Sequence, residues 1–167
     1  MKISMGKFPK QGERKINIQI DRFDTWNLDH TMAMILYPAL LQLKAAKHGL
    51  PSEFATVGGE DWDSQLSFDF YVETQSECFN VGVKRWDEVM DKMIWSFQQL
   101  CLDDYSEKYH HGVMDITWTE ADPLGMSTMV DNNPDEHWYD VVGHHLHEER
   151  IQEGLDLFGR YYRNLWD

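Results

Sequence analysis

Cysteine is nearly missing: Cys78 and Cys101 are the only two. That excludes a disulfide framework and points to a reducing compartment. Long hydrophobic runs are missing too. The longest is the ten residues Met32 to Leu41, about half of the ~20 that a membrane span requires. The opening residues MKISMGKFPK carry charge but no apolar stretch of the kind a secretory signal uses, so none is expected. Basic side chains are scarce, with 15 Lys and Arg against 29 Asp and Glu and a net charge of −14. A field of that sign repels phosphates, so nucleic acid is not an expected partner. The common catalytic signatures are absent as well: no HExxH, CxxC, Walker loop or GxSxG. Glu107 and His110 have the Glu-x-x-His spacing of di-iron bundles, but it occurs once where such a bundle uses it twice. Neither cysteine has a basic neighbour to stabilise a thiolate.

Aromatic residues, in contrast, are plentiful. They make up 13% of the 167 residues and include seven Trp, a composition that excludes a disordered chain. The length suits a single domain, residues 1–167, burying roughly two-thirds of its unfolded surface. Charge is unevenly spread. The first twenty residues set five basic side chains against Glu13, a net of +4, which leaves −18 for the rest. Between Cys101 and Glu149 there are twelve acidic residues and only Lys108 of opposite sign. Such a body attracts a basic protein surface, and its basic N-terminal strip an acidic one.

Periodicity then gives the elements. Lys15 to Asp21 alternates Ile16, Ile18 and Ile20 with polar residues, which predicts a half-buried strand. A helix follows from about Asp24 to His48, capped by Thr25 or Asn27 and kinked at Pro38. It has two apolar stripes: Met32, Ile35, Leu36, Ala39, Leu40 and Leu43 on one side, Met34, Tyr37, Leu41 and Ala45 on the other. A helix apolar on two sides is expected to be buried on two sides, and so to be central. Alternation at 66–72 and 79–83 predicts a hairpin. Lys84 to Leu102 is a strongly amphipathic helix with Trp86, Met90, Met93, Ile94 and Phe97 on one face. Strands are predicted near 114–118, 126–130 and 137–142, and a last helix from about His144, in which Gly154 and Gly159 would permit close packing. The sum is an α+β fold, a mainly antiparallel sheet packed with three helices, the first helix central. Trp26, Trp86, Trp95, Trp138 and Trp166 are expected in the core rather than on a base-stacking platform.

The eight histidines are clustered. His144 and His147 share a helix face with Ile151, Leu155 and Phe158, while His145 faces away. Imidazoles and carboxylates together make a divalent-metal ligand set or a general base. The candidates are Asp24, Asp29, His30 and His147 for catalysis and His144, His147 and Asp29 for metal. Alternatively, the two histidines pack neutral at a core edge and Asp24 and Asp29 act as caps. The helix dipole and the apolar face both depress the His147 pKa, and Asp24, Asp29 or Thr25 are its expected partners. No cofactor is required by the sequence.

Three stretches carry a resemblance: IDRFDTWNLDHTMAMILYPALLQLKAAKHG (20–49), KRWDEVMDKMIWSFQQL (84–100) and HEERIQEGLDLFGRYYRNLWD (147–167), together roughly 40% of the chain. They resemble a family of small proteins of tailed bacteriophages, common in marine phages including those of cyanobacteria. Asp24, Thr25, Trp26, Asp29, His30, Lys47, His48, Gly49, Trp86, Trp95 and His147 fit its pattern. Lys92 and Gln98 depart from it, standing where similar proteins have Glu, and 50–83 does not match. The resemblance implies a phage product in the cytoplasm of an infected bacterium and implies no activity. The expected function is an acidic accessory protein acting by protein–protein interaction on a basic surface of a host or phage protein. No membrane is expected as a partner, and a second copy of the chain is allowed as one. The alternatives are a metal-assisted hydrolase with a His/Asp site and a minor structural component of the virion.

Overall fold

The computed structural model describes residues 1–7, 9–10, 12–55 and 68–166, with 68–79 described through their backbone. Three main helices dominate: α1 (Leu28–Ala46), α3 (Phe68–Leu100) and α4 (Val141–Tyr161), with a single turn α2 (Ser52–Ala55) between the first two. The strands form three separate two-stranded antiparallel ribbons: β1 (Lys2–Met5) with β2 (Ile16–Gln19), β3 (His110–Gly112) with β6 (His137–Tyr139), and β4 (Ile116–Trp118) with β5 (Met129–Asp131). The fold is mixed α+β and mostly helical. No helix among the described residues is long and apolar enough to cross a membrane.

α3 lies in the middle, packed on both α1 and α4. It runs antiparallel to each. Lys44 and Lys47 of α1 pair with Asp91 and Asp87 at 2.5 and 2.8 Å, and Lys92 pairs with Glu153 of α4 at 2.5 Å. The core follows its stripe: Trp86, Met90, Met93, Ile94 and Phe97 are buried with Ala33 and Leu40 of α1 and Tyr161 of α4. Leu36 and Leu43 pack against them, as the stripes predicted. Phe97 meets Phe158 edge to face at 4.9 Å, and Trp86, Phe54 and Tyr161 pack as a mutual triad with ring centroids 5.2 to 5.6 Å apart. Glycine sets two of the contacts. A Cβ on Gly154 would stand 2.0 Å from Ser96 Oγ, and one on Gly82 would stand 2.0 Å from the Phe54 carbonyl oxygen.

Four expectations are corrected. The predicted hairpin at 66–83 is helix from Phe68 onward, with Leu66 and Ser67 outside the described residues. Phe68, Val72 and Phe79 are spaced four and seven apart and lead in step to Val83 and Trp86, so the α3 stripe simply extends upstream. Second, among the described residues the strands make three two-stranded ribbons instead of one sheet. Third, α1 is not central. Its first stripe meets α3, but Met34 and Leu41 of the second are 51% and 42% exposed. Fourth, Trp86 is buried and Trp95 half-buried, whereas Trp26, Trp138 and Trp166 lie on the surface.

Candidate functional site

Two aspartates shape the ground on which the histidines meet. Asp104 Oδ1 accepts the Ser106 and Glu107 backbone N–H groups at 3.0 and 3.1 Å and the Ser106 hydroxyl at 2.7 Å. This turns the chain out of α3 into a 3₁₀ turn at Glu107–Tyr109, and the Ser106 hydroxyl foremost holds the Asp104 carboxyl below its usual range. Asp140 caps α4 by accepting the Gly143 N–H at 2.8 Å. Its own N–H donates to the Tyr109 carbonyl, also at 2.8 Å. The two turns are thereby tied, and Tyr105, Tyr109 and Tyr139 close over the first turns of α4.

His147 is only 7% exposed. Tyr105 stacks on its ring at 5.2 Å, while Trp95 and Tyr109 meet it edge to face at 5.1 and 5.8 Å. Its Nδ1 is 3.1 Å from Lys108 Nζ. An ammonium only donates, so Nδ1 is the acceptor and the imidazole proton belongs on Nε2. That atom is buried with no hydrogen-bond partner among the described residues. Burial first, then the Lys108 charge, pushes the His147 pKa below its ordinary 6.5, so the ring is neutral at pH 7. His144 rests on Tyr109 and Tyr139 at 5.3 and 5.5 Å, and its Nε2 is 3.3 Å from Glu148 Oε1. The same oxygen accepts the Tyr105 hydroxyl at 2.5 Å. That hydrogen bond, with burial, pushes the Tyr105 pKa up to about 12.

The structure therefore joins His144 and His147 of the predicted residues, but not to the partners expected. Asp24 accepts the Met1 amine and the Asp21 N–H as part of a capping box at Arg22–Thr25. The Thr25 hydroxyl donates to the Arg22 carbonyl at 3.1 Å. Asp29 is exposed in the first turn of α1, and its charge is felt by Tyr105. His30 Nδ1 lies 3.0 Å from the Leu100 carbonyl oxygen, in position to donate to it, and its Nε2 is 3.9 Å from the exposed Asp103. Among the described residues no group of three or more His, Cys, Asp or Glu is placed to hold a metal ion. Tyr105, Lys108, Tyr109 and Tyr139 were not foreseen, since only the fold brings them to α4. Glu148 was legible, four residues after His144 on one helix face.

What the cluster holds is the base of an arm. β3–β6 leaves it at His110 and Tyr139, and β4–β5 continues outward in the same sense, so residues 110–139 form one long interrupted ribbon. Asn133 bridges the interruption, accepting the Asp115 N–H and donating to the Val113 carbonyl, both at 2.8 Å. His137 Nε2 is 2.5 Å from Asp131 Oδ2 and holds that carboxyl below its usual range. At the tip, Asp122 Oδ1 accepts the Leu124 and Met126 N–H groups, both at 2.8 Å, and Gly125 supplies the positive φ of 80°. Every residue from 110 to 130 is exposed. Between Lys108 and Arg150 there is no Lys or Arg, while Asp115, Glu120, Asp122, Asp131, Asp135 and Glu136 line the arm. The register puts Trp118 beside Met129 and Ile116 beside Asp131 on one face, and Trp118 and Met129 are 67% and 54% exposed.

The fold is sensitive to pH on both the acid and the alkaline side, through the cluster and through Tyr161, which donates to Glu53 at the far end of α4. The unfolded chain takes up a proton at His147 near pH 6.5 and the folded chain only at lower pH. His147's contribution to stability is therefore complete above 6.5 and declines as pH falls from there through the folded value. Tyr105 and Tyr161, both raised from 10.0 to about 12, act in the opposite direction. Their contribution is complete below pH 10 and lost between 10 and about 12. Urea midpoints across pH should show both flanks. Lys108→Met should raise the His147 pKa measured by NMR, and an unchanged value would show that the ammonium does not act on the ring.

No family model, curated protein or solved structure matches the chain.

Proposed function

We propose that the protein is a phage-encoded accessory protein that works by docking its acidic arm on a basic surface of a host or phage protein, in the cytoplasm of the infected bacterium. The observation that carries this is the arm itself: a ribbon exposed from 110 to 130, with six carboxylates and no Lys or Arg, and with an apolar face around Trp118 and Met129. Each property has a use. Carboxylates steer a basic partner and speed encounter. An exposed tryptophan flanked by aliphatic side chains supplies contact area that becomes affinity once desolvated. The hydrogen bonds at Asn133, Asp131 and Asp122 hold the ribbon in shape before contact, which lowers the ordering cost of binding.

The histidine–tyrosine cluster fits this reading as an anchor. Its polar atoms are largely turned on one another: Lys108 to His147, Tyr105 and His144 to Glu148. The test is capture of partners from infected cells, followed by association kinetics with the purified partner. The rate constant should fall about tenfold or more between about 0.05 M and about 0.5 M salt, as screening shortens the Debye length. Asp115→Lys with Glu120→Lys should give a similar drop at low salt, and Trp118→Ala should speed dissociation. A partner whose binding is indifferent to salt and to all three substitutions would sink the proposal.

A further inference from the structure

His30, His137, His144 and His145 each face a carboxylate oxygen, on Asp103, Asp131, Glu148 and Glu149, at 2.5 to 3.9 Å. A proton on any of these rings strengthens the contact already made. His147 faces an ammonium instead. Lys108 Nζ donates to its Nδ1 at 3.1 Å, and its Nε2 is buried with no hydrogen-bond partner among the described residues. An imidazolium is a donor at both nitrogens and an acceptor at neither. Protonated in place, His147 would have a second cation at hydrogen-bond distance on one side and no acceptor on the other. Its other neighbours do not relieve this. On α4, Arg150 and His144 act in the same sense as Lys108. Glu148 opposes them, but its Oε1 already takes the Tyr105 hydroxyl and faces His144. From the turn, the phenols of Tyr105 and Tyr109 bring aromatic surface, not charge. From α3, Trp95 meets the ring edge to face and lies under the Arg150 guanidinium. From α1, the Asp29 charge acts on Tyr105.

The cover over His147 is also the seat of the arm. The turn at Glu107–Tyr109 runs straight into β3 at His110. The Tyr109 carbonyl accepts the Asp140 N–H at 2.8 Å, where β6 gives way to α4. We propose that the Lys108–His147 contact is a proton-operated latch on the arm: with His147 neutral the turn is held on α4, and when His147 takes up a proton the turn lifts and the arm's base comes free. Lys108 is exposed, and its side chain can swing into water. The ring it leaves is covered by Tyr105 and Tyr109, so hydrating the imidazolium requires that cover to move as well. The packing of α3 on α1 lies away from the moving part and stays closed. The inference concerns how the arm is held, and it stands or falls apart from the arm's binding to a basic surface.

Native-state hydrogen exchange on the full chain, read by NMR and corrected for intrinsic rates, tests it. The reporter is the Asp140 amide, and the reference is the Met93 amide in the core. The Asp140 protection factor should be level from about pH 7.5 to about 6.5. Below that it should fall by up to about tenfold per pH unit, because the open turn lets His147 bind a proton and the closed one does not. The fall should persist unchanged in about 0.5 M urea, since the opening exposes little surface. Met93 should stay better protected and respond steeply to urea. His147→Phe keeps an aromatic ring in the slot without the proton site, and its Asp140 protection should not fall as the pH drops. Lys108→Met keeps the imidazole and removes the ammonium. Its protection should start lower and level off at a higher pH, because the closed ring then accepts a proton more readily; this variant decides the matter if His147→Phe does not fold. Asp140 protection level down to about pH 5.5, a fall with the urea dependence of Met93, or an unaltered fall in either variant would each overturn the latch. Docking of the arm is measured at neutral pH, with the latch closed, so its own test fails or succeeds separately.

Discussion

Phe97→Ala should lower the unfolding free energy by about 3–5 kcal/mol. Phe97 is 5% exposed, with its ring against Phe158 of α4 and its helix against α1. Truncation removes the transfer energy of a phenyl ring and leaves a cavity that cannot close easily. Met93 and Met90, both fully buried, belong to a helix pinned on both flanks by the Lys44–Asp91, Lys47–Asp87 and Lys92–Glu153 pairs. Those pairs add little stability themselves, each about 0–1 kcal/mol, but they fix the register that the cavity would have to disturb. Urea denaturation measures the loss. Trp118→Ala provides the contrast. It removes a larger side chain from a site 67% exposed, and its effect on stability should stay within about 0.5 kcal/mol. A small loss at Phe97 would mean that α3 does not join α1 and α4 in one core.

How much of this could be read from the chain depends on the range of the interaction. The α3 stripe was legible because five large apolar residues recur at helical spacing with charges opposite, and the strand at Ile16–Gln19 because its alternation is clean, although it was expected to be half-buried and all its residues are exposed. The N-terminal half of α3 was misread because Phe68, Phe70 and Val72 satisfy both periods, and a short alternating run cannot be told from a helix until its neighbours are counted. The exposed stripe of α1 was misjudged for a related reason. Periodicity reports that Met34 and Leu41 are apolar, not that anything covers them. At the site, the neutral state of His147 was expected from a first-turn place and from the apolar face of α4; the helix begins at Val141, which puts His147 in its second turn, and burial and the Lys108 charge give the lowered pKa instead. Its partner did not follow. Lys108 reaches His147 across 39 residues, and no local pattern announces a lysine hydrogen-bonded to an imidazole. The arm was half-legible: its acidity is plain in the composition, but its exposure depends on two nested ribbons packing only on themselves.

Gly154→Ala should destabilise the protein, and Gly159→Ala, five residues on in the same helix, should stabilise it. Both replace a helical glycine, and both gain helix propensity of about 1 kcal/mol. They differ in what the new methyl meets. At Gly159 nothing lies within 4 Å of the added carbon, so the propensity gain survives, about 0.5–1 kcal/mol. At Gly154 the added carbon would stand 2.0 Å from Ser96 Oγ, 2.7 Å from Ser96 Cβ and 2.6 Å from the Lys92 carbonyl oxygen. The hydroxyl could rotate at the cost of its bond to that carbonyl, now 3.1 Å, but a Cβ and a helix backbone cannot. α3 and α4 would have to separate at their closest crossing, which loosens the Trp95–His147 and Phe97–Phe158 contacts along the same seam. Overpacking of this kind costs about 1–3 kcal/mol and occasionally more, and the backbone contact places this case at the upper end, beyond what propensity offsets. Adding Ser96→Gly to Gly154→Ala removes the two side-chain clashes and leaves the carbonyl one. The double variant should therefore recover part of the loss, giving a coupling energy between the sites rather than simple additivity. Equal stabilities for Gly154→Ala and Gly159→Ala in denaturant titrations would show that the helices do not meet at Gly154.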